Sequence, residues 1–442
     1  MASGQATGQV TGFTALLRRN RNFRLTWSGQ VVSEVGDNYN NIAVFALAMA
    51  NTGSGLVVAG ILMARALPMM LAGPLAGVLL DRMDRRRIMI ASDLVRAAIA
   101  VLFIFGIPAG RTWLLYLLSG MLMFASPFFT AGRSAILPLI ATEDELHTAN
   151  ALTQTTRWSA QTVGSLMGGA WIAGFGYETA FVLNAASFLL SAWCIWRLRL
   201  PAAAPRVVKP RDGVNRLGVI RHWNDYTAGL RYMRGTPLIF GLGLIAVGWA
   251  SGGGAAQILF SLFGEVVFQR GAAGIGIIWA FAGIGLVLGA LVAHRLAPRL
   301  NFAQYKHAIS IAYIIHGGSY VLFSQAPTFA WALLWIGMSR WAMGVSNVLN
   351  TGQLLRHVSD EYRGRVFATI ESWGWTTMMV SMALAGVASE YVSARTIGAV
   401  SGVLSSSTAL WWAWANWRGR LPEPPLEGVE PNEVEVPEET SY

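Results

Sequence analysis

The stretch Gly77-Val-Leu-Leu-Asp81-Arg82-Met-Asp84-Arg85-Arg86-Arg87 lies between two long apolar segments. Six of its last seven residues are charged. Charged side chains at this density require water, so a chain that has crossed a bilayer must leave it before reaching them. The stretch therefore predicts a short loop at a membrane surface, where one spanning helix ends and the next begins.

The composition indicates a membrane protein. Apolar residues make up 54% of the chain and charged residues 13%, and the mean hydropathy is +0.46. The net charge of +10 does not indicate a nucleic-acid binder, because most of the basic residues lie between apolar segments of about 20 residues and are not clustered on one solvated domain. The single cysteine, Cys194, excludes a disulfide or a thiolate metal cluster within one chain. No Walker lysine follows the glycine runs, which predicts that no nucleotide is bound.

The apolar pattern predicts twelve membrane-spanning segments. With both termini in the cytoplasm, 25 of the 33 lysines and arginines fall on the cytoplasmic side. This asymmetry predicts a multi-pass protein of a bacterial-type inner (plasma) membrane with both termini cytoplasmic. The predicted segments are 26–50, 55–80, 88–107, 113–140, 149–175, 178–197, 237–263, 272–295, 304–324, 328–354, 365–389 and 393–416.

The longest loop separates the first six predicted segments from the last six. It predicts an all-α membrane protein with two pseudo-symmetric six-helix bundles, at residues 1–197 and 237–417. The linker, 198–236, carries an amphipathic pattern that fits a helix lying on the membrane surface and, equally, a solvated linker helix. Residues 418–442 alternate prolines with glutamates and predict a disordered, acidic cytoplasmic tail.

Several phrases resemble those of a known family. The Gly77–Arg87 stretch resembles the loop between helices 2 and 3 of major facilitator superfamily carriers, with Asp84 where their pattern has glycine. Further phrases are similar to the drug/proton antiporter-like exporter branch, which includes macrolide efflux pumps and enterobactin exporters. The resemblance implies the major facilitator fold and transport by alternating access. These phrases are Gly36-Asp37, Ser92-Asp93-Leu-Val-Arg96, Arg133-Ser-Ala-Ile-Leu-Pro138, Ala149-Asn150-Ala-Leu and Arg363-Gly-Arg-Val366.

The first spanning segment carries a polar face. Glu34, Asp37, Asn38 and Asn41 are spaced i, i+3, i+4 and i+7, which places them on one side of a helix. An ionised residue at mid-membrane costs roughly 2.5 to 3.5 kcal/mol, so two acids on one face predict the lining of a cavity. We expect Asp37, with Glu34 as helper or alternative, to carry the coupled proton. The competing interpretation is that both acids pair with membrane arginines and lock the bundle.

Four more polar residues are candidates for the substrate cavity: Arg65, Arg340, Asn347 and Glu371. The two arginines could neutralise Glu34, Asp37 or Glu371, or could bind an anionic substrate group through the guanidinium. Ion pairing is the favoured expectation, because buried arginines are usually paired.

A second charged set is predicted to form a conformational gate near the inner surface. By resemblance, Asp81 engages the amino end of helix 11 in the outward-open carrier and releases it in the inward-open one. The alternative is that some of these arginines serve only as topology anchors. The predicted gate residues are Gly77, Asp81, Arg82, Arg85, Arg86, Asp93, Arg96 and Arg133.

The predicted function is secondary active transport. We expect proton-coupled export of an amphipathic small molecule, such as a drug, a macrolide-like compound or a siderophore. One alternative is a lipid or lysophospholipid flippase of the same fold, and another is a membrane sensor that transports nothing. No nucleophile with a base, and no metal-ligand cluster, stands out, so neither an enzyme nor a cofactor or metal is expected. The expected partners are the small-molecule substrate, protons and membrane lipid.

Overall fold

The computed structural model describes residues 12–199 and 216–424 of the chain. All regular structure in these two ranges is helical. The α-helices are α1 (Phe13–Arg19), α2 (Arg21–Thr52), α3 (Gly55–Arg82), α4 (Arg85–Leu102), α5 (Thr112–Ile140), α6 (Glu143–Trp196), α7 (Arg216–Gly235), α8 (Pro237–Leu262), α9 (Gly271–Leu296), α10 (Phe302–Gln325), α11 (Phe329–His357), α12 (Asp360–Ala388) and α13 (Ala394–Trp417).

Helix α6 consists of two spanning arms that meet at Gly176. This glycine has φ 80° and ψ 172°, a conformation that other residues adopt only with strain. The arms correspond to the predicted segments 149–175 and 178–197. Together with α2 to α5 and α8 to α13 they make twelve spanning helices, which confirms the predicted fold class.

Hydropathy alone recognises fewer spans than the fold contains. In the described ranges, six helical stretches are long and apolar enough to cross a membrane by length and composition alone. The other spanning helices are more polar because they bury polar groups inside the bundles: Asn40 in α2, His316 in α10, Arg340 in α11 and Ser405 in α13. The six stretches are Gly55–Arg82, Arg85–Gly106, Ala109–Ile140, Asp144–Trp196, Pro237–Val267 and Gly271–Arg299.

The molecule has two distinct ends. We call the end where α1, α7 and residues 418–424 lie the linker end, and the opposite one the far end. At the far end one apolar core runs through both bundles and contains, for example, Phe181 of α6 and Phe263 after α8. At the linker end the cores are separate, with Leu16 in an N-terminal cluster and Trp412 in a C-terminal one.

The contacts between the bundles are concentrated at the far end. Ser54 Oγ donates a hydrogen bond to Glu390 Oε1 at 2.6 Å, and a Cβ on Gly55 would lie 2.6 Å from Ser389 Oγ. At the linker end of the same two helices, α3 and α12, a Cβ on Gly77 or Gly364 would have no atom within 4 Å. The bundles therefore close against each other at the far end and separate toward the linker end.

The stretch around Asp84 forms a tight connection between two helices. Helix α3 continues through Asp81 to Arg82, and α4 begins at Arg85. The Asp84 side chain accepts hydrogen bonds from the backbone N–H groups of Arg86 at 2.9 Å and Arg87 at 3.4 Å. Asp84 has φ −62° and needs no glycine-like conformation. It acts as the N-cap of α4, where an acidic side chain is favourable.

The helix of the linker packs on the C-terminal bundle. Tyr226 Oη accepts a hydrogen bond from Trp373 Nε1 at 3.1 Å, and Tyr232 stacks on Tyr362 with 4.7 Å between ring centroids. The start of the predicted tail is also packed: Leu421 is buried and its carbonyl accepts a hydrogen bond from Lys306. The rest of that predicted tail, 425–442, lies outside the described residues, as do linker residues 200–215.

Candidate functional site

Glu34 lies at the centre of a polar cluster in the N-terminal bundle. Its Oε1 accepts a hydrogen bond from Gln30 Nε2 at 2.8 Å and pairs with Arg133 Nη1 at 3.4 Å. Its other oxygen, Oε2, is buried and has no hydrogen-bond partner in the described part of the chain. Glu34 therefore links α2 to α5 and keeps one oxygen available.

Asp37 lies one turn further along α2 and is half-buried. Its carboxyl makes no hydrogen bond or ion pair with the described residues. The charged groups around it are those of Arg96, Glu34, Asp93 and Arg65. Asp37 is thus a carboxyl without a direct partner in the described residues, placed among two acids and two arginines.

Arg65 of α3 is held by neutral partners. It donates hydrogen bonds to Asn41 Oδ1 at 2.8 Å and to Ser119 Oγ at 3.3 Å, and its guanidinium lies 5.0 Å from the centroid of the Phe45 ring. Arg65 makes no direct ion pair with Glu34, Asp37 or Glu371 in the described residues, and the carboxyl of Asp37 acts on it only through space. Because Asn41 can satisfy the guanidinium without charge, the nearby carboxyl of Asp37 remains unpaired.

Asp93 and Arg96 form an ion pair inside the N-terminal bundle. Both are buried, and the Arg96 guanidinium lies between the rings of Phe129 at 4.6 Å and Phe188 at 4.3 Å. The sequence placed Asp93, Arg96 and Arg133 in a conformational gate near the inner surface; the structure puts Asp93 and Arg96 in the interior of α4 and Arg133 beside Glu34, and their part in a gate stays a prediction. One helical turn brings Asp93 and Arg96 together in α4, and the fold directs them toward Asp37.

The remaining predicted gate residues lie at the linker end. Asp81 and Arg82 are exposed, and neither makes a hydrogen bond or ion pair with a described residue. Arg85 donates to the carbonyl of Ala135 at 2.8 Å, and Arg86 donates to the carbonyl of Ile195 at 3.2 Å. These two arginines therefore anchor the start of α4 to the C-terminal ends of α5 and α6, where cations are favourable.

The C-terminal bundle contains one buried arginine, Arg340, that lacks a counter-ion among the described residues. Arg340 is buried and forms no ion pair with any described residue, so its predicted pairing with an acid was wrong. Its Nη1 donates to the sulfur of Met343 at 3.3 Å. Glu371 and Asn347 are exposed and lie in the linker-end halves of α12 and α11.

The remaining cavity candidate, Asn38, faces α6. Its Nδ2 donates to the carbonyl of Glu34 at 2.8 Å, and its Oδ1 accepts from Ser165 Oγ at 3.5 Å. Asn38 therefore supports the contact between α2 and α6, while Asn41 holds Arg65.

Sequence reasoning missed two residues of these clusters. Gln30 precedes Glu34 by one turn, so the same helical spacing that selected Glu34 could have found it. Ser119 is an isolated polar residue in an apolar helix, and only the packing of neighbouring helices shows its role. Across the described residues, no group of three or more histidine, cysteine, aspartate or glutamate side chains is placed to hold a metal ion.

Two helical bundles with buried charges at their centre, closed together at one end and separated at the other, define a polytopic membrane carrier. The family model for the Major Facilitator Superfamily matches residues 26–370. The chain belongs to this superfamily.

Among curated proteins, the chain is 25% identical over 403 residues to the uncharacterized MFS-type transporter YfiS of Bacillus subtilis (strain 168), covering 88% of this chain and 92% of that one. It is 21% identical over 389 residues to macrolide efflux protein A of Streptococcus pyogenes, covering 86% and 93%. Among solved structures, it is similar to a bacterial homolog of the human lysosomal transporter Spinster in an inward-facing and unoccupied conformation. That match has a TM-score of 0.62 and 16% identity, and covers 90% of this chain and 96% of the other. The chain is a transporter with efflux-type relatives.

Proposed function

We propose that the chain exports an amphipathic small molecule in exchange for protons. The free carboxyl of Asp37 carries this proposal, because a proton carrier needs an acid that can be reached and is not already consumed by an ion pair. Glu34 is held by Arg133 on one oxygen only, so it can share or relay the proton. The relative named as a macrolide efflux protein supports export as the direction.

The arrangement of the bundles supports transport by alternating access. The bias of basic residues supports a cytoplasmic position for the linker end. The separation at that end then corresponds to an inward-facing state, in which substrate enters the cavity from the cytoplasm or the inner leaflet. Protonation of Asp37 changes the charge balance beside Arg65 and Arg96, and this change biases the two-state motion of the bundles.

Drug accumulation in bacteria tests the proposal. Pump-deficient cells expressing the chain are loaded with fluorescent lipophilic cations or macrolide-like compounds, with and without an uncoupler. We expect the wild type to lower accumulation, and Asp37→Asn or the uncoupler to abolish this effect. Asp144→Asn, an exposed acid at the start of α6, is the matched control and should behave as wild type.

The same assay can overturn the proposal. If Asp37→Asn and Glu34→Gln both retain uncoupler-sensitive efflux at normal expression, the coupled proton is bound elsewhere. If the wild type never differs from empty cells for any compound, drug export is the wrong substrate class.

A groove at the lipid-facing surface favours a second candidate, a lipid or lysophospholipid flippase. The groove lies between the linker end of α3 and helices α4 and α5, and its walls include Leu79, Val95 and Phe128. Arg87 stands at its polar end. An acyl chain could lie in this groove with its phosphate on Arg87. Movement of labelled lysolipid in proteoliposomes, lost in Arg87→Gln and retained in Arg111→Gln, would favour the flippase over the drug exporter.

A further inference from the structure

The far ends of α3 and α12 are joined by a hydrogen bond between the two bundles. Ser54 is the N-cap of α3, and its hydroxyl accepts a hydrogen bond from the backbone N–H of Val57 at 3.3 Å. The same hydroxyl donates to Glu390 Oε1 at 2.6 Å. The amino end of a helix in the N-terminal bundle is therefore linked, through its cap, to a carboxylate of the C-terminal bundle.

The position of Glu390 suits a negative charge. The amino end of a helix carries a partial positive charge, and α3 has no acidic residue of its own in its first turn. Glu390 forms no ion pair with a described residue, so its carboxylate is available to α3. The C-terminal bundle thus supplies the negative charge that the first turn of α3 lacks, and this favours contact between the two helices.

The hydrogen bond depends on close packing of the two helices. A Cβ on Gly55 would lie 2.6 Å from Ser389 Oγ, and a Cβ on Gly386 would overlap the side chain of Ala59. The backbones therefore approach closely at these glycines. A hydrogen bond between side chains is lost beyond about 3.5 Å, so a small separation of the helices at the far end breaks the bond between Ser54 and Glu390.

The opposite ends of the same helices carry the same groups in reverse order. Because α3 and α12 run antiparallel, the amino end of α12 lies at the linker end, as does Asp81 of α3. Ser359 is the N-cap of α12, and its side chain makes no capping hydrogen bond. Asp81 has no hydrogen-bond or ion-pair partner among the described residues. Each helix thus begins after a serine and has an acid of the other bundle at the same end, and only the far-end pair is formed.

We propose that Glu390 and the Ser54 hydroxyl form a latch that holds the far end closed and opens once in each transport cycle. The latch is the far-end counterpart of the one expected for Asp81. This inference concerns the motion of the bundles, so it goes beyond the proposed function and holds whichever molecule or ion is carried. A carboxylate at a helix amino end changes an equilibrium constant by up to about fivefold, which suits a contact that must form and break repeatedly.

Distances between two spin labels test the latch in the full-length chain. The labels are attached to Gly110→Cys and Ala330→Cys in a Cys194→Ala background, because both positions are exposed and lie at the far ends of the N-terminal and C-terminal bundles. The fraction of long distances measures opening of the far end. We expect Glu390→Gln to raise the ratio of open to closed molecules about fivefold, since the amide lacks the negative charge.

Matched variants separate the latch from a general effect on the fold. Ser54→Ala removes the donor and should also raise the open fraction, whereas Ser54→Thr keeps the hydroxyl and should match wild type. Combining Ser54→Ala with Glu390→Gln should open the far end no more than the larger single effect, because both changes break the same bond. Glu178→Gln, at an exposed acid of α6 at the far end, should leave the distances unchanged.

Two results would overturn the latch. If Glu390→Gln and Ser54→Ala each leave the distances unchanged, the carboxylate does not hold the far end closed. If their effects add in the double variant, the two groups act separately and their hydrogen bond is not the latch. Neither result changes the drug-accumulation assay, so proton-driven export that is lost in Asp37→Asn would still support the proposed function.

Discussion

Asp84 occupies the position at which the loop pattern that this stretch resembles has glycine, and it shows how one side chain can replace backbone freedom. The turn between α3 and α4 uses a backbone conformation open to any residue, and the carboxylate satisfies two N–H groups at the start of α4. The Asp84 carboxylate also lies 3.8 Å from the Arg87 Nε. That pair is exposed and adds little, so the cap is the main contribution.

Replacing Asp84 should therefore weaken α4 locally. We expect Asp84→Ala to lower the free energy of unfolding by about 1 kcal/mol, because two N–H groups lose their acceptor. Asp84→Asn should cost much less, since its amide oxygen can still cap. Melting temperatures of the purified variants measure the difference, and equal melting of Asp84→Ala and wild type would rule out the capping role.

The ion pair between Glu34 and Arg133 should stabilise the contact between α2 and α5. Both groups are largely shielded, with 19% and 15% of their side chains exposed. A double-mutant cycle with Glu34→Gln and Arg133→Gln should give a coupling of about 1 kcal/mol, because each single change leaves a charge without its partner. Additive effects on melting would mean that the pair is not formed in the membrane protein as purified.

At the scale of elements, α6 and α9 form the closest seam between the bundles. A Cβ on Gly169 of α6 would lie 2.6 Å from the carbonyl of Ala272, and a Cβ on Gly276 of α9 would contact the carbonyl of Ser165. Helices without side chains at the contact can approach closely and slide. The seam can therefore close fully only while these positions remain glycine.

A larger side chain in this seam should shift the balance between the closed and the open far end. We expect Gly276→Ala to reduce transport and to increase labelling by a membrane-impermeant thiol reagent at a cysteine introduced at Ser54, because the far end can no longer close. Gly318→Ala, at a glycine of α10 with no atom within 4 Å of its Cβ position, is the matched control. Unchanged labelling in Gly276→Ala would show that the helices adjust without opening.

For the whole molecule, the bundles close at the far end and separate at the linker end. In a background with Cys194→Ala, which removes the single native cysteine, Ser54→Cys and Glu390→Cys should cross-link under mild oxidation and stop transport. Gly77→Cys with Gly364→Cys should cross-link poorly in the resting protein. Equal cross-linking of both pairs would contradict a single resting conformation.

Asp81 is also expected to act between the two bundles. The partner implied for it by the resemblance is the amino end of predicted helix 11, which is α12 of the C-terminal bundle. We expect Asp81→Asn to lose transport at normal membrane insertion, since closure of the linker end then lacks the carboxylate that binds the amino end of α12. Asp84→Asn, three residues away and able to cap, is the control. Full transport by Asp81→Asn would leave Arg85 and Arg86 as anchors of α4 and remove the latch from the mechanism.

The sequence by itself determined the twelve spanning helices, the division into two bundles and the polar face of α2, because apolar length, charge asymmetry and helical spacing are local properties. It placed Glu34, Asp37, Asn38 and Asn41 correctly on one helix. It could not decide which charges meet, since pairing across helices depends on distances that only packing sets. Only the tertiary structure showed that Asp93 pairs with Arg96 and Arg133 with Glu34, that Arg65 has neutral direct partners, and that Arg340 has no acid beside it in the described part of the chain. The free energy of burying a charge depends on the groups packed around it. Those groups come from helices that are distant in the sequence, so the sequence alone could not identify them.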